Sequence, residues 1–331
     1  RTGRRVPFVQ WGYFLSAWGK PLLGVATLWP GVLAARCLDR LGKGLRTTAR
    51  DAIIADAVEP SQYGKAYGLH TGMDTAGAFF GVLLLAALWV IAFRQPLPNT
   101  PAFDRACVIL FLAAGIPGLI SWALTLGLKD PPHLQKVDSA AKSLSTLSLP
   151  PAYWRALGLS TLFALANSSD TLLILRANNV GLGFLEVLAC YALYNVVFTL
   201  SSYPLGVLSD RLGRWRLMGF GWLFYGFVYL GFAIAPKPVM WLLFPLYGIY
   251  IGATQGVAKA LVADHAPEES KGFALGLFHM ATGVATIGAS AIAGWLWDAY
   301  QPSAAFLFGS GLAFASAILI PLTRAKKLQT S

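Results

Sequence analysis

Apolar runs of about 20 residues recur along the whole chain, separated by short polar segments that are often rich in glycine and proline. A helix needs about 20 apolar residues to cross the hydrocarbon core of a bilayer, so each run predicts one membrane-spanning helix. The predicted fold class is therefore an all-α integral membrane protein. The pattern predicts ten helices, at residues 8–28, 31–54, 66–92, 106–127, 155–176, 184–208, 216–235, 238–262, 272–297 and 303–322.

The second run, 31–54, differs from the other nine because seven charged residues interrupt it. The distribution of lysine and arginine in the loops nevertheless favours a span here. With this span in place, 15 basic residues fall in the loops of one side and three, Arg94, Arg105 and Lys237, in those of the other. Because basic loops are retained in the cytoplasm, we expect both ends of the chain on the cytoplasmic side of a prokaryotic inner membrane.

Composition agrees with a bilayer as solvent. Of the 331 residues, 56% are hydrophobic and 12% are charged, whereas about a quarter of the residues in a soluble domain are charged. A net charge of +11 would suggest nucleic acid as a partner of a soluble protein, but here the basic residues lie in short loops between apolar runs. Three cysteines and four histidines form no metal-binding motif, so no cofactor, metal or nucleic acid is expected.

Part of the chain repeats. Residues 51–69 align without gaps to residues 259–277 at an offset of 208, with seven identities, and residues 1–4 align to residues 211–214. Duplicated helix bundles are typical of secondary transporters. Because two predicted helices precede residue 211 in its half, the repeat predicts two more before Arg1. The predicted domains are an N-terminal bundle at 1–127, a cytoplasmic linker at 128–154, a C-terminal bundle at 155–323 and a cytoplasmic tail at 324–331.

The segment Gly206-Val-Leu-Ser-Asp210-Arg211-Leu-Gly213-Arg214 follows a predicted helix in a cytoplasmic loop. It resembles the signature loop of the major facilitator superfamily, in which Gly, Asp, a basic residue, Gly and Arg occur at this spacing. The first residues, Arg1-Thr-Gly3-Arg4-Arg5, look like the end of a second copy. Residues 36–44 are similar to the fourth-helix motif of the family's exporters, with Asp39 and Arg40 at the usual Gln and Gly positions.

This resemblance implies two six-helix bundles related by pseudo-symmetry, with ten of the twelve helices present here. It implies a rocker-switch transporter with a central cavity, not an enzyme. The implied partners are a small-molecule substrate, protons and membrane lipid, and the implied state is a monomer. In the family the signature loop acts as a conformational latch, which implies that role for Gly206, Asp210, Arg211, Gly213, Arg214, Gly3 and Arg4.

The charged residues of the second predicted helix are candidate cavity residues. At 100° per residue, most of them fall within an arc of about 80° or close beside it. Each charge at the centre of a membrane helix costs about 2.5–3.5 kcal/mol on insertion scales, so several together cannot face lipid. They form either a cavity wall that attracts anions or a charge network that joins helices. The residues concerned are Arg36, Asp39, Arg40, Lys43, Arg46, Arg50 and Asp51.

Candidate proton carriers are titratable residues inside predicted spans. His70 and Asp74 share a face of one helix, and Asp170 follows Asn167 in the middle of another, with Arg176 further along. A transport cycle that changes the surroundings of Asp74 or Asp170 would bind and release a proton, whereas a permanent ion pair with an arginine would not. Gln255 and Lys259 are expected to face the cavity, since Lys259 is the repeat counterpart of Asp51.

These observations predict a proton-coupled secondary transporter of a small organic solute by alternating access. The basic helix favours an anionic or zwitterionic solute, while uptake and efflux both stay open. Two alternatives are kept: an integral membrane enzyme acting on lipid, and a non-transporting sensor with a transporter fold.

Overall fold

The computed structural model describes residues 5–94, 100–129 and 149–322, apart from the side chains of Glu269 and Leu322. Some sequence predictions lie outside these ranges: the latch candidates Gly3 and Arg4, most of the linker at 128–154, and the tail at 324–331. Within the described residues the secondary structure consists of helices and turns, without strands.

Each of the ten predicted helices has a counterpart in the described part of the chain, and two of them are divided. The predicted helix 106–127 is split into α4 and α5, and 155–176 into α6 and α7. A π-helical turn, Leu88–Ala92, continues α3. The helices are α1 Val6–Val25, α2 Trp29–Ala57, α3 Tyr63–Ala87, α4 Pro101–Ala113, α5 Gly115–Thr125, α6 Pro151–Ala166, α7 Thr171–Asn179, α8 Phe184–Leu212, α9 Arg214–Ile234, α10 Lys237–His265, α11 Lys271–Ala299 and α12 Pro302–Leu322.

Among the described residues, seven helical segments are long and apolar enough to cross a membrane by length and composition. The predicted spans α1, α2 and α10 are not among them, and α2 fails because its charged residues interrupt every stretch of sufficient length. The prediction of an all-α membrane protein is confirmed. The seven segments are Pro60–Ala92, Pro101–Thr125, Pro151–Asn179, Phe184–Leu212, Arg214–Ile234, Lys271–Ala299 and Pro302–Pro321.

Proline and glycine mark several helix ends. Prolines occupy the first turn of α1, α4, α6 and α10, where the backbone N–H that proline lacks has no intrahelical partner. Gly213, between α8 and α9, has a φ of +93°, a conformation that favours glycine. The chain can therefore leave α8 and enter α9 within a single residue.

The helix boundaries repeat as the sequence does. A 3₁₀ turn, Pro60–Gln62, precedes α3, and a second turn, Glu268–Ser270, precedes α11. Helix α2, the first turn and α3 begin 208 residues before α10, the second turn and α11, and both α2 and α10 contain 29 residues. The duplication therefore extends beyond the identical residues and governs where helices start.

The chain divides into two compact units, and each is described by itself. Unit 1 comprises residues 1–57 and 83–148, and unit 2 comprises residues 58–82 and 149–331. In unit 1, α1 packs along α2 and against α4 and α5. In unit 2, α8 packs on α10, and α9 packs on α10 and α12, around a core of buried aromatic residues. The division into bundles at residues 127 and 155 stays a prediction.

Candidate functional site

The break between α6 and α7 interrupts a membrane span and is stabilised by side chains from other helices. A backbone group in the hydrocarbon region needs a hydrogen-bond partner within the protein. The hydroxyl of Tyr225 donates to the carbonyl oxygen of Ala166, the last residue of α6, at 2.7 Å. The N–H of Ser169 donates to Oγ of Ser290 on α11 at 3.2 Å. Residues 167–170 thus form a specific, supported interruption of the helix.

Asp170 closes this break, directly before the first residue of α7. The hydroxyl of Tyr247, on α10, donates to Oδ1 of Asp170 at 2.8 Å and lies 3.4 Å from Oδ1 of Asn167. Tyr247 is fully buried, whereas Asp170 is half-buried. The structure therefore brings Asn167 and Asp170 together through a residue that sequence reasoning missed. The signal for it was the recurrence of Tyr247 and Tyr250 along one face of an apolar helix.

Arg176, on α7, holds the end of another helix. Its Nε donates to the carbonyl oxygen of Phe232 at 2.9 Å and its Nη2 to that of Ala233 at 3.1 Å. Both carbonyls belong to the last turn of α9, where a cation also compensates the negative end of the helix dipole. Its Nη1 donates to Oδ1 of Asn179 at 2.8 Å. Arg176 therefore caps α9, and its donors are not directed at Asp170.

The charged residues of α2 separate into two groups, although the helical wheel predicts one stripe. Arg36, Arg40 and Lys43 are exposed. The guanidinium of Arg46 instead lies over the ring of Tyr13 on α1, 4.4 Å from its centroid. The division follows from packing. The face of α2 that contacts α1 includes Arg46 and lies at the edge of the 80° arc predicted for the charged residues.

The remaining charges of α2 also lie away from the exposed group. A Cβ atom on Gly19 of α1 would lie 2.9 Å from Cβ of Asp39, which places Asp39 on the face toward α1. Nε of Arg50 is 3.6 Å from Oδ1 of Asp51, and the Asp51 side chain is fully buried. Arg46 and Asp39 lie against α1 and fit the interpretation as a network between helices. The contact of Arg50 with Asp51 joins neighbours within α2. Arg36, Arg40 and Lys43 are exposed, as residues of a cavity wall would be.

Four other candidates lie on helices of unit 2. Asp74 is exposed on α3, and His70, one turn earlier, is half-buried. Gln255 is exposed on α10, but Lys259, one turn later, is buried with 8% of its surface accessible. The shared face predicted for each pair therefore carries one accessible residue and one that is more enclosed.

The latch candidate Asp210 caps the start of α3. Its Oδ1 accepts from the N–H of Gly64 at 3.0 Å and its Oδ2 from the N–H of Lys65 at 2.9 Å. A carboxylate at this position accepts hydrogen bonds from N–H groups that have no partner within the helix, and its negative charge interacts favourably with the positive end of the helix dipole. Gly206 makes room for this arrangement, because any Cβ there would collide with the carbonyl oxygen of Gly64.

Arg214 joins Asp210 to two other segments. Its Nη2 donates to Oδ1 of Asp210 at 3.1 Å and to the carbonyl oxygen of Pro60 at 2.7 Å. It also forms an ion pair with Asp264 at the end of α10. Arg211, by contrast, is exposed. Sequence reasoning missed Pro60 and Asp264 as partners, although Asp264 belongs to the repeated segment.

Unit 1 contains a matching ion pair. Arg5, before α1, pairs with Asp56 near the end of α2. Asp56 is the repeat counterpart of Asp264. The sequence repeat aligns Arg4 with Arg214, but the residue that makes the matching ion pair is Arg5, 209 residues before Arg214. Both units therefore tie the start of one helix to the end of the next with an arginine–aspartate pair.

Comparison with known proteins agrees with this architecture. A family model described as Major Facilitator Superfamily matches residues 1–285, and again residues 190–330. An uncharacterized MFS-type transporter of Methanocaldococcus jannaschii is 35% identical over 328 residues, covering 97% of this chain and 79% of that protein.

Two solved structures share the fold. The proton:xylose symporter XylE superposes with a TM-score of 0.74 at 16% identity, covering 97% of this chain and 80% of its own. The human organic anion transporter MFSD10 superposes with a TM-score of 0.71 at 18% identity, covering 96% of this chain and 77% of its own. Family members are transporters and not enzymes, in agreement with the sequence expectation. On the length of the family match and the identity to the archaeal relative, this chain belongs to the Major Facilitator Superfamily.

Proposed function

We propose that this protein is a proton-coupled secondary transporter of a small anionic or zwitterionic organic solute, with Asp170 as the proton-carrying residue. The observation that carries the proposal is the position of Asp170 at a helix break, where it accepts a hydrogen bond from Tyr247. The protein would act as a monomer in the inner membrane with both chain ends in the cytoplasm, as the loop charges predict.

The surroundings of Asp170 suit a group that gains and loses a proton. Interrupted membrane helices commonly form the sites for substrates and coupling ions in secondary transporters. The hydroxyl of Tyr247 is neutral and can donate to a carboxylate or accept from a carboxylic acid, so either protonation state keeps a hydrogen bond. Arg176 is engaged at the end of α9, so protonation of Asp170 need not break an ion pair with it.

The solute class is inferred from α2. Its exposed cations Arg36, Arg40 and Lys43 lie within a helix that the sequence analysis predicts to cross the membrane, where charges do not face lipid. Such a surface attracts carboxylates and other anionic groups. The proton coupling of XylE and the anionic substrates of MFSD10 show that the fold accommodates both properties, while the proposal for this chain rests on its own residues.

The latch would favour two distinct conformations in the transport cycle. The two hydrogen bonds from α3 to Asp210, together with the contacts of Arg214, hold the start of α3 against the end of α8. In a rocker-switch cycle these contacts would form in one state and break in another, so that intermediate positions are disfavoured.

Purified protein in proteoliposomes provides the test. A panel of small carboxylates and amino acids is offered under an imposed pH gradient of either direction, which also separates uptake from efflux. Asp170→Asn should abolish accumulation driven by the pH gradient and retain exchange of labelled for unlabelled solute, because exchange requires no net proton transfer. Asp298→Asn, an exposed carboxylate on α11, is the matched control.

Two results would contradict the proposal. If Asp170→Asn accumulates solute under a pH gradient as the unaltered protein does, Asp170 is not the proton carrier. Asp74→Asn is then the next variant to measure. If only neutral or cationic solutes are exchanged, the assignment of an anionic or zwitterionic substrate is wrong.

A further inference from the structure

Unit 1 contains a cavity of about 110 Å³ where α1, α2 and α5 meet. Two of the residues that line it are cations, Lys20 from α1 and Arg46 from α2. The other walls include Tyr13 and Ser16 of α1 and Pro117 and Ser121 of α5. The cavity thus concentrates positive charge in a small space inside one unit.

Helix geometry explains why these two cations approach each other. Gly12 of α1 contacts Arg46 of α2, and Gly19 further along α1 contacts Asp39 nearer the start of α2, so the two helices run antiparallel. Side chains on a helix tilt toward its N-terminus. The side chain of Lys20 therefore extends toward Ser16 on α1. Because α2 runs antiparallel to α1, the side chain of Arg46 extends from the level of Gly12 toward Ser16 as well.

The cavity lacks an acidic wall. No aspartate or glutamate is among the residues that line it, and Asp39 forms no ion pair with Lys20 or Arg46 in the described part of the chain. The buried Nε of Arg46 has no hydrogen-bond partner among the residues that the structure describes. Cations inside membrane helices normally face water or an acidic partner, so an anion that enters this cavity would meet two cations with no acidic neighbour among the described residues.

The duplicated unit shows that the fold does not require these cations. Gly12 packs on Arg46 as Gly221 of α9 packs on Thr254 of α10. Positions on α1 therefore correspond to those on α9 at an offset of 209, the same offset that separates Arg5 from Arg214. Tyr13, Ser16 and Lys20 then correspond to Trp222, Tyr225 and Tyr229, which are all fully buried. Unit 2 fills with aromatic rings the space that unit 1 leaves open and charged.

The donors in the cavity match an oxyanion. The hydroxyl of Ser16 already donates to the carbonyl oxygen of Asp39 at 3.1 Å, and that of Ser121 to the carbonyl oxygen of Pro117 at 2.8 Å. This leaves the ammonium of Lys20 and the edge of the guanidinium of Arg46 as donors toward a ligand. A guanidinium stacked on a ring keeps its edge free for the two oxygens of a carboxylate or phosphate.

We propose that the cavity bounded by Lys20, Arg46 and Tyr13 binds an oxyanion group, a carboxylate or a phosphate. Its volume is below the 300–1,000 Å³ or so that encloses a drug-sized ligand, so it holds a small anion or one acidic group of a larger molecule. The site is distinct from the exposed cations of α2 and does not depend on proton coupling at Asp170.

The test measures alkylation of a thiol placed on the cavity wall. Purified protein carrying Ser121→Cys is reconstituted in phosphatidylcholine nanodiscs and treated with N-ethylmaleimide, and the modified peptides are quantified by mass spectrometry. Sodium phosphate or sodium acetate, compared with sodium chloride at equal ionic strength, should slow alkylation at position 121 about fivefold at roughly four-fifths occupancy. Native Cys37, exposed on α2 and outside the cavity, serves as the internal control.

Variants then assign the protection to the two cations. Lys20→Met, which removes an exposed side chain, should raise the half-protecting anion concentration about tenfold, and Arg46→Thr should do the same. Arg216→Gln, which removes an exposed charge from unit 2, should leave protection unchanged, as should Asp170→Asn. The last result separates this site from the proposed coupling residue.

A parallel set of nanodiscs containing phosphatidylglycerol identifies the source of the oxyanion. If this lipid alone protects position 121, and Lys20→Met removes the protection, the ligand is a lipid phosphate. If free phosphate or acetate protects in phosphatidylcholine, it is a soluble anion. The proposal is overturned if chloride protects equally, if Lys20→Met and Arg46→Thr both retain full protection, or if no anion protects.

Discussion

Helices α2 and α10 are two copies of one element with opposite chemistry. Both contain 29 residues, and their starts and ends are 208 residues apart. At this offset Asp39 corresponds to Tyr247 and Arg36 to Phe244. Helix α2 is interrupted by charges, whereas α10 contributes buried aromatic residues to the core of unit 2. Duplication therefore preserved the length and position of the helix while its side chains diverged.

The difference suggests separate roles for the two units in the proposed transport cycle, solute attraction in one and proton exchange in the other. In the proposed function, the exposed cations of α2 in unit 1 attract an anionic group of the solute. In unit 2 the hydroxyl of Tyr247 and a core of aromatic rings lie beside Asp170, the carboxylate that we propose as the proton carrier. Coulombic attraction of a solute and protonation of a carboxylate make opposite demands on local charge, and separate helices can meet both.

The largest effect is expected from the tyrosine that α10 contributes to Asp170. Tyr247→Phe removes the hydroxyl that donates to Asp170. A hydrogen bond to a charged group contributes about 1.5–3 kcal/mol. We expect pH-driven accumulation in proteoliposomes to fall at least about tenfold. Tyr250→Phe, one turn further along α10, is the control and should retain accumulation. Equal loss in both variants would assign the effect to packing of the aromatic core.

Glycine packing distinguishes the same two helices. Gly252 of α10 and Gly44 of α2 are repeat counterparts, but a Cβ at Gly252 would collide with Oγ of Ser201 on α8, whereas a Cβ at Gly44 meets open space. Gly252→Ala should lower the free energy of unfolding by about 1–3 kcal/mol because the core is overpacked. Gly44→Ala should be neutral or stabilising, since alanine favours helix more than glycine does. Thermal unfolding in detergent measures both, and similar destabilisation by the two variants would contradict the comparison.

The exposed cations of α2 should affect solute affinity without changing proton coupling. Arg36→Gln removes one positive charge from the proposed solute surface, worth about 1 kcal/mol in a partly solvated setting. We therefore expect the KM for an anionic solute to rise about fivefold, with the same dependence of accumulation on the pH gradient. Arg36→Lys should restore most of the affinity. A change in the pH dependence instead would place Arg36 in the coupling mechanism.

The smallest effect is expected when α2 receives the residue of its counterpart. Arg46→Thr copies Thr254 of α10, which packs on the corresponding glycine and donates its hydroxyl to the carbonyl oxygen of Tyr250 at 3.0 Å. The free energy of unfolding should change by no more than about 1 kcal/mol, because the cost of partly burying a charge is removed together with the packing of the Arg46 side chain. Unfolding midpoints in chloride buffer test this. A loss several times larger would show that Arg46 is required for the packing of α1 on α2.

The sequence by itself determined which segments form helices, how they repeat, and the family. Membrane insertion demands long apolar runs, and the signature loop around Asp210 and Arg214 is one contiguous segment. The spans and the loop can therefore be recognised from the sequence alone. The boundaries of α2 and α10 also follow, because helix ends depend on nearby proline, glycine and loop residues.

Only the tertiary structure decided the partners of the charged and polar side chains. The sequence offers Arg176 as a neighbour for Asp170, but packing directs Arg176 to the end of α9 and brings Tyr247 to Asp170 instead. The seven charges of α2 lie close together on a helical wheel, yet contact with α1 draws Arg46 away from Arg36, Arg40 and Lys43. Helical periodicity describes one helix in isolation, whereas a hydrogen bond or a cavity depends on which faces of several helices meet.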